Sequence, residues 1–120
     1  MNETIATIIQ WHEKTFPDAT LDGQKTKFAE ELGEYKESAD LEELADMFIV
    51  ACGIARFNSI VALEYFAVVF KALLDWELVG VHGLLMTIID DKMKKNRVRT
   101  WKKTGGGTYH HTKEGNDEKS

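Results

Sequence analysis

The sequence has little of what stabilises small extracellular or zinc-binding domains. Its only cysteine, Cys52, excludes an intramolecular disulfide and fits a reducing compartment. No cluster of cysteine and histidine supports a structural zinc site. Its only proline is Pro17, and 43% of the 120 residues are hydrophobic, which favours helices and excludes disorder of the whole chain. We expect one folded domain.

Long apolar runs and a basic N-terminal segment are also missing. Residues 45–55 are far too few for a membrane span, and charged side chains interrupt the apolar stretch at 59–80. Residues 1–4 lack the basic start of a signal peptide. We therefore expect a cytoplasmic protein without a membrane partner.

The charge is unevenly distributed along the chain. The net charge is −5, but residues 24–46 carry eight acids against three lysines, and residues 92–103 carry seven bases and no acid. The overall sign disfavours binding to nucleic acid. An acidic block and a basic block far apart in sequence are what a metal–polyphosphate site would need.

Hydrophobic periodicity predicts an all-α bundle of about five helices. The expected helices cover residues 3–15, 22–38, 40–57, 59–78 and 84–96. We assign residues 1–104 to the domain and residues 105–120, which begin with three glycines, to a flexible C-terminal tail.

Local signals refine the second, third and fourth helices. Asp40 and Glu43 have the spacing of a capping box, and Ser59 is the expected cap of the fourth helix. Gly33 lies inside a helical pattern, which suggests that another helix approaches it closely.

Two carboxylate pairs lie on consecutive predicted helices. Glu31 and Glu34 are three residues apart, as are Glu43 and Asp46, so each pair lies on one helix face. A short connection makes the helices antiparallel and brings the pairs together. Converging carboxylates need either protonation or a bound cation to offset their repulsion, and oxygen ligands suit Mg²⁺ or Mn²⁺ rather than iron. Alternatively, the acids are a solvated surface and Glu43 serves only as a cap residue.

The basic block offers a second candidate site. Lys92 and Asn96 share a helix face, and Arg99 and Trp101 follow at the expected helix end. Lys92 and Arg99 suit phosphate oxygens, Asn96 can position a ligand, and Trp101 can stack on a base. Alternatively, the cations only complement the helix dipole and Trp101 covers the end of the bundle.

Together these motifs resemble those of the MazG-like, all-α nucleoside triphosphate pyrophosphohydrolases. The family's E-x-x-E, E-x-x-D and K-x-x-x-N-x-x-R motifs match Glu31 to Glu34, Glu43 to Asp46, and Lys92 to Arg99, in the family's order. Residues 11–20 also resemble a phage and bacterial branch described as dATP/dGTP pyrophosphohydrolases. The resemblance covers about residues 8–111, and the 45 residues between the second and third motifs leave room for an added helix.

The resemblance implies Mg²⁺-dependent hydrolysis of a deoxynucleoside triphosphate, dGTP or dATP, to the monophosphate and pyrophosphate. Such an enzyme acts in nucleotide-pool control or in the supply of 2-aminoadenine for phage DNA, in a bacterial or phage-infected cytoplasm. Catalysis would then use a water molecule activated by Mg²⁺ (or Mn²⁺) and directed at the α-phosphorus. The resemblance implies that the metal ligands are Glu31, Glu34, Glu43 and Asp46. It implies that Glu34 or Glu30 accepts the proton. The substrate-binding residues that it implies are Lys92, Asn96, Arg99, Trp101 and Trp11.

Two further expectations concern assembly and the competing function. Family members form dimers or tetramers, and the apolar stretches at 47–55 and 61–74 exceed what one small bundle buries, so we expect a homodimer or homotetramer. The alternative function is a non-catalytic helical interaction module whose acidic face docks a basic partner.

Overall fold

A computed structural model describes residues 2–76 and 80–111 and confirms a compact all-helical fold. Within the described residues there are five helices, followed by a two-stranded antiparallel hairpin. The elements are α1 (Ile5–Thr15), α2 (Leu21–Ser38), α3 (Leu41–Phe57), α4 (Ser59–Leu74), α5 (Val81–Val98), β1 (Trp101–Gly105) and β2 (Thr108–His111).

The helix caps agree with the sequence in part. Asp40 caps α3, as predicted, but its carboxylate accepts from the backbone N–H of Glu42 rather than that of Glu43. The predicted capping box with Glu43 is therefore wrong, and the Glu43 side chain is not used at the cap. Asn58, not Ser59, caps α4, because the Asn58 side chain accepts from two backbone N–H groups of the first turn.

Two helix boundaries also differ from the prediction. Helix α4 ends at Leu74 rather than at residue 78, and residues 77–79 lie outside the described part of the chain. Helix α5 begins at Val81, directly after Gly80, whose φ of 82° is left-handed. The glycine therefore ends the turn between the two helices and allows α5 to begin one turn earlier than its apolar pattern suggested.

Helix α3 is the central element of the core. It packs against α1, α2, α4 and α5 and supplies nine of the twenty buried apolar residues in the described part of the chain. Cys52 is completely buried, and burial raises the pKa of its thiol to about 12, so it is a small core residue as expected. Gly33, in contrast, has no neighbour within 4 Å of an added Cβ among the described residues, so the predicted close helix approach is wrong.

A buried polar contact fixes α1 to α2 and α3. His12 lies between the two helices and is 3% exposed. The Arg56 guanidinium donates to His12 Nδ1 at 3.1 Å, so His12 Nε2 carries the proton and donates to Gln24 Oε1 at 3.1 Å. Burial lowers the pKa of His12 to about 4, which keeps the ring neutral. Arg56 also donates to the Phe16 carbonyl at 2.8 Å and holds the loop after α1.

The hairpin was not predicted from the sequence. Residues 105–111, assigned above to a flexible tail, form the turn and the second strand, whereas residues 112–120 lie outside the described residues. Gly106 and Gly107 form its two-residue loop, with φ of 62° and 75°, values that a type I′ hairpin turn requires. Trp101 pairs with His111, and the register shifts between Lys103 and Gly105.

The hairpin turn docks on the start of α2. The backbone N–H of Thr20 donates to the Gly107 carbonyl at 3.2 Å. Asp18 makes two contacts with the hairpin: its N–H donates to the Tyr109 hydroxyl at 3.3 Å and its carboxylate pairs with Lys103 at 3.0 Å. The hairpin therefore lies against the α1–α2 loop.

Among residues 2–76 and 80–111, no helix is both long enough and apolar enough to cross a bilayer.

Two glycines of α2 provide a matched test of hairpin docking. A Cβ on Gly23 would lie 2.5 Å from the Gly107 carbonyl oxygen, whereas a Cβ on Gly33 meets open space among the described residues. We expect Gly23→Ala to lower the free energy of unfolding by about 1–3 kcal/mol, because the hairpin backbone must move. Gly33→Ala should raise it by about 0.5–1 kcal/mol through helix propensity. Urea unfolding followed by circular dichroism measures both; equal effects would contradict the docking.

Candidate metal centre

The antiparallel α2–α3 hairpin brings the two predicted carboxylate pairs together. Ala39 adopts a left-handed conformation with φ of 52°, and Asp40 then starts α3, so the chain reverses within two residues. One carboxylate oxygen from each of Glu31, Glu43 and Asp46 lies within 4.8 Å of the others. We call these three residues the acidic triad.

Burial and mutual repulsion raise the pKa values of the triad. Burial is the largest cause for Glu31, whose pKa rises to about 8, with further contributions from the charges of Asp46 and Glu34. Burial also leads for Glu43, whose pKa rises to about 7, followed by a hydrogen bond with the Glu34 side chain. Burial raises the pKa of Asp46 although Lys92 acts in the opposite direction. Glu31 and, in part, Glu43 therefore hold protons that ordinary carboxylic acids have released at neutral pH.

Two oxygens of the triad lack hydrogen bonds. Glu31 Oε1 and Glu43 Oε1 are buried and have no partner among the described residues. A buried carboxylate oxygen normally has a partner, because desolvation without one is costly. The two oxygens are therefore free to accept a proton or a cation.

The two candidate proton acceptors lie in different surroundings. Glu34 is exposed, and its charge raises the pKa of each triad member, which places it beside the triad. Glu30 is also exposed, and its charge raises the pKa of His110 in the hairpin. The geometry brings Glu34 to the candidate centre and directs Glu30 towards the hairpin.

Lys92 joins the acidic and basic blocks. Its Nζ lies 3.1 Å from Asp46 Oδ2 and 3.8 Å from Glu42 Oε1. The side chains of Lys92 and Asp46 are 22% and 27% exposed, so this ion pair is partly desolvated. Glu42 was not among the predicted site residues.

The end of α5 places Arg99 near the triad through Asn96. Arg99 NH1 donates to Asn96 Oδ1 at 3.1 Å, and the Arg99 charge lowers the pKa of Asp46. Asn96 is buried, and its backbone carbonyl accepts a hydrogen bond from Trp101 Nε1 at 3.2 Å. Asn96 therefore positions Arg99 and Trp101, and its own amide is already engaged.

The two predicted tryptophans belong to one aromatic cluster. The Trp11 ring is 8% exposed and packs edge to face against Phe16 and Trp101, with ring centroids 5.1 and 6.0 Å away. Its remaining exposed edge lines a shallow surface cleft with Gln10 and Arg97. These contacts make Trp11 a packing residue, and its role in binding a base stays a prediction.

Sequence reasoning missed two side chains near these residues. His111 packs edge to face against Trp101, and its Nδ1 is buried with no partner among the described residues. Lys27 acts on Glu31 and lowers its pKa, opposing the effect of the neighbouring acids. The four-residue spacing of Lys27 and Glu31 is a signal that sequence analysis could have used; no comparable signal marks His111.

The raised pKa values predict how stability depends on pH without a divalent cation. In the unfolded chain Glu31 loses its proton near its ordinary pKa of 4.5, but in the folded protein it keeps the proton to about 8. The folded state therefore binds more protons between these values, and its stability falls as the pH rises from about 5 to 8. Glu31→Gln should flatten this slope and stabilise the protein at pH 8 by on the order of 1–3 kcal/mol.

Urea unfolding at several pH values in the presence of EDTA measures this effect. Glu37→Gln is the matched control, because Glu37 is an exposed acid of α2 outside the triad. It should leave the slope unchanged. A Glu31→Gln profile parallel to that of the unmodified protein would show that Glu31 does not hold the proton.

Comparison with known proteins adds no homologue to this geometry. No protein-family model, curated protein or solved structure matches the chain. The function must therefore be argued from the residues of the candidate centre.

Proposed function

We propose that the protein is a Mg²⁺-dependent pyrophosphohydrolase that converts a deoxynucleoside triphosphate to the monophosphate and pyrophosphate. One observation carries the proposal: the acidic triad, with oxygens within 4.8 Å of one another, lies beside Lys92, whose Nζ is 3.1 Å from Asp46. Candidate cation ligands and a candidate phosphate-binding side chain therefore lie together, although they are far apart in sequence.

The donor set of the triad fits a hard divalent cation. All candidate ligand atoms are carboxylate oxygens, which suit Mg²⁺ and also Mn²⁺. Glu31 and Glu43 each have an oxygen without a partner among the described residues, and the Glu34 side chain forms a hydrogen bond with that of Glu43. When bound, Mg²⁺ would supply charge to polarise phosphate oxygens and lower the pKa of water.

The surrounding side chains supply binding and proton transfer. Lys92 and Arg99 would neutralise phosphate charge, which matters most in phosphoryl transfer. Asn96 would keep the Arg99 guanidinium in place through the existing 3.1 Å hydrogen bond. Glu34 is the better candidate for accepting the proton of the attacking water, since Glu30 is directed towards His110.

The substrate preference rests on the resemblance, and self-association rests on the resemblance and on the apolar surface. Residues 11–20 suggest a preference for dGTP or dATP. The assembly of family members and the apolar stretch at 61–74 suggest a homodimer or homotetramer. The MazG-like assignment would also make the protein part of nucleotide-pool control or of 2-aminoadenine supply. A screen of the common ribo- and deoxynucleoside triphosphates tests the base and sugar preference.

The competing function, docking of a basic partner on an acidic face, is less well supported. A docking face needs ionised, solvated carboxylates. Here burial raises the pKa of Glu31 to about 8 and that of Glu43 to about 7, so the triad is partly protonated at neutral pH. The three acids of the triad converge on one another.

Pyrophosphate release tests the proposed reaction. With Mg²⁺ and dGTP or dATP, we expect Asp46→Asn and Glu31→Gln to lower kcat/KM by roughly 100-fold or more, because each removes a charged ligand. Glu37→Gln should leave kcat/KM unchanged, since Glu37 lies outside the triad. Absence of pyrophosphate release from every triphosphate, together with unaltered Mg²⁺ binding by Asp46→Asn, would overturn the proposal.

Lys92 gives a second test that separates binding of the cation from binding of the substrate. Its ammonium group now neutralises Asp46, so we expect Lys92→Met to bind Mg²⁺ alone more tightly. The same variant should have kcat/KM lowered roughly 10- to 100-fold through loss of a phosphate contact. Calorimetry and pyrophosphate release measure the two effects, with the exposed Lys94→Met as control. Loss of Mg²⁺ affinity in Lys92→Met would assign Lys92 a structural role instead.

A further inference from the structure

Helix α4 has one packed face and one apolar face in contact with solvent. Ala62 and Val69 are 1% and 3% exposed and lie against α3. On the opposite face four large apolar side chains are 65–79% exposed: Ile60, Leu63, Phe70 and Leu74. A monomeric protein rarely exposes a continuous apolar surface of this kind without a binding role. We call these four residues, together with Ala67, the α4 stripe.

The spacing of the α4 stripe is that of a helix–helix seam. Successive members are separated by three, four, three and four residues, the a/d pattern of a heptad repeat. From Ile60 to Leu74 the stripe is about 21 Å long at the rise of an α-helix. The small Ala67 lies at its midpoint, where a second helix can approach closely. The pattern therefore selects another helix as the occupant.

The described residues leave the α4 stripe uncovered. Residues 112–120 contain no apolar side chain, and residues 77–79 are too few to cover a helix of this length. A membrane surface is a poor fit, because interfacial helices carry many lysines and arginines beside the apolar face. The charged residues of α4 are only Glu64 and Lys71.

We propose that the α4 stripe binds the α4 stripe of a second copy, antiparallel, about a two-fold axis at Ala67. This arrangement places Ile60 opposite Leu74 of the second copy and Leu63 opposite Phe70, so each exposed side chain meets an apolar one. An isologous pairing of this kind closes as a dimer and leaves no stripe open.

The charges of α4 specify the antiparallel direction. Glu64 and Lys71 lie on the same flank of the stripe, three residues before and four residues after Ala67. In the antiparallel pair Glu64 of each copy lies beside Lys71 of the other, which gives two opposite-charge contacts. In a parallel pair the same flanks would lie on opposite sides of the seam, and neither charge would meet an opposite charge. This inference specifies the self-association proposed above but does not depend on the catalytic proposal.

Site-specific cross-linking tests both the interface and its direction. Ala67→Cys lies on the two-fold axis and should form a disulfide-linked dimer under mild oxidation. Ile60→Cys and Leu74→Cys should cross-link when mixed, but neither should cross-link with itself. Val98→Cys, 83% exposed on α5, is the control and should stay monomeric on a denaturing gel. The natural Cys52 is fully buried and should not react.

Sedimentation equilibrium of the full chain supplies an independent measurement. We expect a dimer. Phe70→Glu should raise its dissociation constant at least 100-fold, whereas Val98→Glu should not change it. Glu64→Lys should weaken the dimer, and Glu64→Lys combined with Lys71→Glu should restore it.

Three outcomes would overturn the proposal: a monomer at all concentrations, a dimer that tolerates Phe70→Glu, or binding of the monomer to vesicles through α4. Circular dichroism establishes that each variant folds. Because mass and cross-linking are measured without substrate, a failure here is distinguishable from a failure of the catalytic proposal.

Discussion

Glu31, Glu43 and Asp46 converge in a partly desolvated space, and the candidate centre depends on how the neighbouring elements offset their mutual repulsion. Leu44 and Ala45 of α3 are completely buried, so their neighbours Glu43 and Asp46 are held at the margin of the core and cannot move fully into water. Two like charges about 4 Å apart cost about 4 kcal/mol at an effective dielectric of 20. Retained protons and the Lys92 ammonium offset this cost here. The contact between Lys92 and Asp46 requires α5 to lie along α3.

The hairpin and the Arg56 contacts hold the N-terminal end of α2, the end far from the α2–α3 connection. Arg56 ties the loop after α1 to α3, and the hairpin turn packs on Gly23 in the first turn of α2. Both contacts limit how far α2 can shift along α3, the movement that would separate Glu31 from Asp46. A neutral His12 suits this arrangement, because its Nδ1 must accept from the Arg56 guanidinium. Packing far from the carboxylates thus contributes to holding them together.

The sequence predicted those parts of the molecule that depend on local periodicity. Five helices and the convergence of Glu31 with Asp46 follow from apolar spacing and from a short antiparallel connection. The failures concern local capping and tertiary context. Gly23 and Gly33 both lie in α2, but only Gly23 meets another segment of backbone among the described residues. The hairpin depends on a Gly-Gly pair at residues 106 and 107, which is a recognised turn signal. A third glycine precedes the pair and polar residues follow it, so the segment resembles a flexible tail in sequence.

The placement of α4 keeps the proposed dimer compatible with the candidate centre. Phe48 of α3 packs against Phe66 of α4 with ring centroids 5.4 Å apart. Phe48 follows Asp46 by two residues, which is about 200° around a helix, so α4 and the carboxylates lie on opposite sides of α3. The α4 stripe faces further away still, since it lies opposite the side of α4 that contacts α3. A second copy bound there would leave the carboxylates accessible, and because α3 is common to both, assembly would stabilise the helix that carries Glu43 and Asp46.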